Sequence, residues 1–382
     1  MIPVAYNYRN LLVRWKTTCM TAGAFTLVVA AIVVILAFVS GVQSVCATSG
    51  QPENVLVLSH GSHDEVTSQL DSSQVNRIEN TPGVLRRSDG TLLASRELYM
   101  NLGHKDDASG AFYLVQTRGV MPVAFQVHSQ VRITSGRMMR RSQSEIIVGR
   151  GLQRQRGIQI GERFVIGPRW WTVVGIFDAD GSIFETEVWA NLDEMASVIR
   201  REGVYSGIVL RTLGSGAAER LVDRLANARW LSVNAETESR YYARIAEEAE
   251  FLRTAGLVIA GFMGVGAVFG VMNTMFAAIG QRVKDIAVLR ILGFRKRDIL
   301  ISFLLEAMLI AVFGGAAGLA LGYALNGLSL QAIVGSKAVA FAFFVDNRAI
   351  VTGAAFTFVM GLLGGLLPAL SAMRVEPLES LR

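Results

Sequence analysis

Four runs of this sequence carry almost no charge for the length of a lipid bilayer: 17–51, 254–281, 299–336 with Glu306 as its one ionisable residue, and 349–373. A helix rises 1.5 Å per residue, so about 20 apolar residues cross the hydrocarbon core. Each run is long enough. With 51% hydrophobic and only 18% charged residues among 382, the composition also departs from that of an average soluble chain.

Arg9, Arg14 and Lys16 precede the first run, a flank that also begins secretory signals. Its apolar stretch 22–39 exceeds the roughly 7–15 residues of a signal core, and no small-x-small cleavage site follows, so it reads as an uncleaved anchor. Cys19 and Cys46 fall near its two ends, about 40 Å apart if the stretch between them is helical, and cannot bridge each other. They read as small hydrophobes.

Cations set the orientation. Three precede the first run, six Lys/Arg crowd into 282–297, and Arg374 and Arg382 follow the fourth run, whereas 326–348 holds only Lys337 and Arg348. The positive-inside rule then places both termini and the connector in the cytoplasm. The predicted layout is a cytoplasmic segment 1–20, a span 21–43, an extracytoplasmic domain 44–253, a span 254–280, a cytoplasmic connector 281–298, a span 299–326, an outer loop 327–348, a span 349–371 and a cytoplasmic tail 372–382. The same topology accounts for most of the net charge of +6, which therefore gives no reason to expect nucleic acid.

Residues 44–253 suffice for an independent core, in one or two lobes. Segments 54–59, 111–120, 145–150, 163–167, 170–177 and 207–212 are rich in β-branched and aromatic residues and bounded by Gly, Pro or Asp, which predicts strands; 193–201 and 217–228 read as helices. The class is thus a four-helix membrane protein with a large α+β domain inserted between helices 1 and 2. In 236–253, Tyr242, Ile245, Ala249 and Leu252 recur at helical spacing, and neither Gly nor Pro intervenes before Gly256. A stalk running into the second span is one reading, an ordinary domain helix the other.

Small residues recur every four positions at Gly266 and Gly270, at Gly314, Gly318 and Gly322, and at Gly361 and Gly365, spacing that lets helix backbones approach closely in lipid. Glu306 is by default a functional candidate as an intramembrane acid. It also lies near enough to the connector to pair with one of its arginines.

Little catalytic chemistry is visible. None of the five lysines follows a glycine, so no phosphate-binding loop is present. His60, His63 and Asp64 lack a clear fourth ligand for zinc, and 178–187 has its glycine at the fourth rather than the sixth position of a calcium loop, so it reads as a turn with solvated acids. No metal site, cofactor site or nucleophilic constellation is expected.

The connector itself, "GQRVKDIAVLRILGFRKRDIL", scatters Arg282, Lys284, Asp285 and Arg290 around the helical circumference together with Val283, Ile286, Leu289 and Ile291. A helix lying on a membrane would segregate the two classes, so this one suits a place between the bilayer and a second protein. Arg282 and Asp285 stand at i, i+3 for an ion pair, and Gly293 is a plausible helix stop.

At these residues the chain resembles a known family. "MNTMFAAIGQRVKDIAVLRILGFRKRDILISFLLEAMLIAVFGGAAGLALG", residues 272–322, resembles the permease subunits of type VII ABC systems, the MacB, LolC/LolE and FtsX group, with Asn273, Ile286, Leu292-Gly293, Arg295-Lys296-Arg297 and Leu304-Leu305-Glu306 in the motif positions. "PALSAMRVEPLESLR" at 368–382 looks like the family's closing pattern, and 146–195 is similar to the MacB-type periplasmic core domain. Gln281 and Asp285 depart from the family's acidic residues there. MacB proper also carries its nucleotide-binding domain on the same chain.

The resemblance implies a homodimeric permease of the bacterial inner membrane, without its own ATPase, whose coupling helix is gripped by a separate cytoplasmic ABC ATPase that binds ATP and Mg. The contact set it implies is Arg282, Lys284, Asp285, Ile286, Leu289, Arg290 and Gly293. ATP-driven movement would pass through spans and stalk to the outer domain, a mechanism called mechanotransmission, to export or extrude a substrate from the periplasmic side, with membrane lipid around it and with or without a periplasmic adaptor. An FtsX-like signalling scaffold that activates a cell-wall hydrolase is the alternative. An unassisted channel is disfavoured by the absence of a polar pore lining.

Overall fold

The computed structural model describes residues 9, 11–105, 112–166, 168–228, 230–334 and 337–374, the side chains of 104, 105, 112, 113 and 338 aside. Most of the expected N-terminal segment and the closing motif from 375 onward lie outside the described residues. In chain order, α1 (Trp15–Ser49) leads into β1 (Asn54–Ser59), β2 (Leu70–Asp71), α2 (Ser72–Glu79), β3 (Ala94–Lys105), β4 (Phe112–Val120) and α3 (Ala124–Val127). Next come β5 (Arg132–Gly136), β6 (Glu145–Gly149), α4 (Arg150–Arg156), β7 (Arg163–Ile166), β8 (Arg169–Asp178), β9 (Glu187–Asn191) and α5 (Leu192–Val198). They are followed by β10 (Val204–Tyr205), β11 (Gly207–Arg211), α6 (Ser215–Asn227), β12 (Val233–Thr237), α7 (Glu238–Gln281) and α8 (Val283–Ile291). The chain continues through α9 (Lys296–Ala324), β13 (Ser329–Val334), β14 (Lys337–Ala342) and α10 (Asn347–Ala372).

These elements fall into two compact units. One comprises the chain up to Gly41, Glu250–Leu328 and the stretch from Ala342 onward; the other comprises Val42–Ala249 with Ser329–Phe341. Among the described residues, four helices, α1, α7, α9 and α10, are long and apolar enough to cross a membrane. Between the first and second of them lies the α+β domain.

Within the helical unit, glycines set the helix–helix contacts. A Cβ on Gly314 would stand 2.4 Å from the Ala22 carbonyl oxygen, one on Gly318 2.7 Å from that of Thr26, and one on Gly322 2.4 Å from Val33. The Thr26 hydroxyl donates to the Gly314 carbonyl at 3.0 Å across the same contact. Thus α9 is seated backbone-close on α1. Gly361 and Gly365 meet Ala311 and Ala307 of α9 in the same way. Gly266 and Gly270 do not: a Cβ on either finds nothing within 4 Å, and α7 instead approaches α10 through Gly264 against Phe356 and Gly364 against Val271. Within this chain α7 and α10 therefore meet at 264 and 364, because the face of α7 turned toward α10 is offset from 266 and 270.

The inserted domain is built on a ten-stranded sheet in the order β12-β1-β11-β3-β4-β9-β6-β8-β5, with β7 paired to β8. The twelve-residue β3 joins its halves, since Ala94–Glu97 pair with β11 while Leu98–Lys105 pair with β4. Each half has its own apolar core. One gathers Val55, Val57, Ile78, Ile208, Leu210 and Leu221 beneath α2 and α6; the other gathers Leu98, Ile146, Val148, Trp171, Val173 and Met195 beside α5. In α6 the buried residues are Ala218, Leu221 and Leu225, the i, i+3, i+7 stripe of a helix lying on a sheet. Asp71 caps α2, its carboxylate accepting from the Ser73 and Gln74 amides.

The helix expected from residue 236 begins at Glu238, because Glu236 and Thr237 still pair with Leu56 and Val55 in the sheet. From there α7 runs unbroken for 44 residues, about 66 Å at 1.5 Å per residue. Tyr242, Ile245 and Ala249 on its first turns are buried.

The glycine contacts give a direct expectation. Gly314→Ala and Gly318→Ala should each cost about 1–3 kcal/mol by overpacking against fixed backbone, read as a lower thermal midpoint of the purified protein in detergent. Gly261→Ala, at a position of α7 where a Cβ meets nothing within 4 Å, should leave that midpoint unchanged. Equal midpoints for all three variants would contradict the packing described.

Candidate functional site

The connector is a short helix delimited by two breaks. After Gln281 ends α7, Arg282 leaves helical geometry at φ −116° and ψ 16°, and α8 begins at Val283. It stops as the sequence predicts: Gly293 adopts φ +95°, its amide donates to the Arg290 carbonyl at 3.2 Å, and the Phe294 amide donates to that of Leu289 at 3.1 Å. This pair of bonds is the Schellman arrangement, which requires a left-handed residue and hence favours glycine. The next helix is capped in turn, the Asp298 carboxylate accepting from the Arg295 amide at 2.9 Å.

Two faces of α8 differ. Ile286 and Ala287 are buried, Leu289 and Arg290 half-buried, and Lys284, Asp285, Val288, Ile291, Leu292 and Gly293 exposed. Ile291 and Leu292 are 64% and 70% exposed, high for aliphatic side chains, and they flank exposed charges. Such a mixed surface serves protein contact better than lipid contact.

Glu306 lies ten residues into α9, about 15 Å along its axis. Its carboxylate forms an ion pair with Arg282 at 3.3 Å, both side chains largely buried. The expected Arg282–Asp285 pair is therefore corrected: Arg282 stands at the helix break, off the α8 face, and turns to Glu306 while Asp285 stays exposed. A residue outside the sequence-based set joins this corner, since Arg14 Nη2 donates to Gln281 Oε1 at 2.6 Å. Next to Glu306 a cavity of about 20 Å³ is lined by Thr17, Thr21 and Thr274 among others, space for about one water.

A second polar constellation, unforeseen from sequence, fills the centre of the inserted domain. Arg118 on β4 binds Glu187 through two parallel bonds of 2.7 Å from Nε and Nη2, and its Nη1 reaches Glu65 at 2.5 Å and Glu97 at 2.6 Å. His128 Nε2 lies 2.7 Å from Glu97, and its Nδ1 lies 3.4 Å from Glu238, an ion-pair distance without hydrogen-bond alignment. Every one of these side chains is at most 3% exposed. The reading of 178–187 as a turn with solvated acids is thereby corrected. Glu187 is fully buried under Arg118 and accepts from the Trp189 indole at 2.8 Å, and Glu185 accepts from the Ala179 and Gly181 amides. The sequence signal was a charge amid apolar strand residues, Arg118 within 111–120.

Burial by itself would make His128 less basic, but the carboxylates of Glu97 and Glu238 outweigh it and raise the imidazole to about 10. Glu97 is held below its ordinary range: burial opposes ionisation, and the charges of His128 and Arg118 overcome it. Among the described residues, no group of three or more His, Cys, Asp or Glu is arranged to hold a metal ion.

Four membrane-length helices with an α+β domain between the first two define a multi-pass membrane protein of permease architecture. Residues 18–228, more than half of the chain, match the MacB-like periplasmic core domain, and residues 257–377 match the FtsX-like permease C-terminal domain. The chain belongs to this family and is a MacB/FtsX-like ABC transporter permease. Among its relatives, the macrolide export ATP-binding/permease protein MacB of Hahella chejuensis is 27% identical over 234 residues, covering 58% of this chain and 35% of that protein. The protein of the same name from a Shewanella species is 29% identical over 238 residues, covering 59% and 36%. The crystal structure of the periplasmic region of MacB from Actinobacillus actinomycetemcomitans aligns with a TM-score of 0.39 at 12% identity, over 52% of this chain and 94% of that one. The chain spans about a third of the length of the curated relatives it matches.

The raised basicity of His128 makes stability depend on pH. Below pH 6.5 the imidazolium is present in folded and unfolded chains alike, and its contribution is complete. Above it the unfolded chain gives up the proton while the folded domain keeps it until about 10, so stability falls across that window by up to about 1.4 kcal/mol per pH unit. Burial raises Tyr99, Tyr241 and Tyr242 well above 10, outside the window. Urea midpoints from tryptophan fluorescence should therefore decline from pH 6.5 to 10 in the native chain and lie flatter in His128→Gln. A native profile already flat there would refute a charged His128.

Proposed function

We propose that this permease converts ATP-driven movement of a separate cytoplasmic ABC ATPase into movement of its α+β domain on the far side of the bacterial inner membrane, so as to export or extrude a substrate. Both termini and α8 face the cytoplasm in this reading, which rests on the excess of Lys/Arg in 282–297. ATP and Mg belong to the partner. The observation that carries the proposal is α8: a capped helix with one face buried through Ile286 and Ala287, tied through Arg282 to Glu306, and presenting Lys284, Asp285, Val288, Ile291 and Leu292 outward. A buried face and an anchored end let a push on the helix reach α7 and α9 instead of dissipating in a mobile loop. The unbroken α7 is the element suited to carry that movement onward, and no polar tunnel through the spans is needed.

The relatives named as macrolide export proteins support an export role, and the substrate here is taken to reach the permease from the outer side. A second copy of the chain completes the transporter, with Gly266 and Gly270 open to it on α7. A periplasmic adaptor is compatible with the inserted domain.

The test is co-purification of the chain with its ABC ATPase from membranes, together with ATP turnover of the complex. Asp285→Ala should weaken the association, and Arg290→Glu should abolish it and return turnover to that of the ATPase alone. Full association and unchanged turnover in both variants would exclude α8 as the contact.

A further inference from the structure

The Arg118 cluster has one more member, contributed from far along the chain. Lys337 opens β14, in the β13–β14 hairpin that links α9 to α10, and its side chain is 1% exposed. Its Nζ forms an ion pair with Glu65 Oε2 and lies 4.9 Å from the ring centres of Tyr99 and Tyr241 and 5.2 Å from that of Tyr242. The tyrosines come from β3 and α7, and Glu65 from the loop between β1 and β2. Three ring faces and a carboxylate enclosing an ammonium form a recognisable cation socket.

We infer that Lys337 is a latch, which seats the hairpin between the third and fourth spans in the inserted domain and so provides a connection between that domain and the spans separate from α7. Hydrophobic packing alone is a weaker account. Half of strand β13 is exposed, with Leu330 and Ile333 at 45% and 68%, and the hairpin's buried apolar anchors among the described side chains are Val334, Val339 and Phe341. An ammonium is costly to desolvate and stays buried only with well-formed partners. Glu65 supplies one, and a Tyr241 hydroxyl bond of 3.2 Å holds the same carboxylate oxygen in place.

Charge balance gives the latch its direction. With Lys337 seated, three cations, Arg118, His128 and Lys337, face four carboxylates, Glu65, Glu97, Glu187 and Glu238. Withdrawal leaves two cations facing four. Burial opposes ionisation of Glu65, yet Arg118 and Lys337 hold its carboxyl well below the usual range, so Glu65 stays charged while the latch is closed. Opening therefore leaves Glu65 only the Arg118 that Glu97 and Glu187 also share, and the closed state is favoured until force or another cation compensates.

The test uses the full chain in lipid nanodiscs and needs no ATPase, so its result stands apart from the transmission reading. Brief acetylation by an amine-reactive ester, quantified per lysine by mass spectrometry, should modify Lys337 at least about tenfold more slowly than the exposed Lys284 and Lys296, the protection expected of a group freed only by local opening. Glu65→Gln keeps the shape of the socket and removes its charge; it should accelerate labelling of Lys337 about tenfold and raise hydrogen exchange in 329–334 and 339–342, with β1 and β6 unaffected. Lys337→Met should raise hairpin exchange in the same way. Labelling of Lys337 as fast as Lys284 in the native chain, or hairpin exchange unchanged in Glu65→Gln, would overturn the latch.

Discussion

Hydrocarbon offers the backbone no hydrogen-bonding partner, so a chain that crosses it must satisfy its amides and carbonyls within each helix and must place its charges elsewhere. Most features of this protein follow from that constraint. Across the four long helices, ionisable groups cluster at the ends, and the one deep exception, Glu306, is met by Arg282 from the helix break next to it. Charge excluded from the spans accumulates in the connector, where it clothes a helix with one buried face, and in the inserted domain. An apolar span is at once a constraint on the fold and the reason why its polar junctions are informative.

In lipid, apolar burial does not drive one helix onto another, and close packing must do so. The glycines of α9 bring it within backbone contact of α1 on one side, while Ala307 and Ala311 receive the glycines of α10 on the other. The third span thus packs between α1 and α10. Since α9 also carries Glu306 and follows directly from the Schellman stop at Gly293, the connector is joined to the best-packed helix of the bundle. That placement favours transmission of a force applied to α8 over its absorption in a loop.

What the sequence revealed and what it hid divide along a physical line. Strands such as 54–59, 145–149 and 170–177 were legible because β-branched and aromatic runs between turn residues report a pleated, buried surface whatever packs on it. The stop at Gly293 was legible because left-handed geometry favours one residue type. By contrast β3 carries Arg96 and Glu97 near its start and β9 opens on Glu187, charges that argue against a buried strand until their partners are known. Those partners, Glu79 for Arg96 and Arg118 for the two glutamates, lie 17 to 69 positions away. The failure at Arg282 has the same origin. An i, i+3 rule presumes that the helix continues through the residue, and the break at Arg282 was not written in its local composition. Glycine spacing likewise marked close-approach faces without assigning their partners: 314, 318 and 322 meet α1, while 266 and 270 meet no other part of this chain.

The buried charges of the inserted domain raise the question of why apolar residues do not fill that space. For stability alone they would serve as well or better, since replacing a buried ion pair by packed hydrophobes is often neutral or stabilising. An apolar core, however, tolerates many arrangements, whereas the forked guanidinium of Arg118 accepts few: two carboxylate oxygens of Glu187 on one edge, Glu65 and Glu97 on the other. The network is satisfied only when β3, β4, β9, the loop after β1, the end of α3 and the start of α7 stand in one register. Glu238 opens α7 and Lys337 opens β14, so two of the segments that continue into spans are bound to the same small group of charges. A domain held this way behaves as one body when either segment is pulled, which is the property a force-transmitting domain requires and one that an apolar core of equal stability would supply less well.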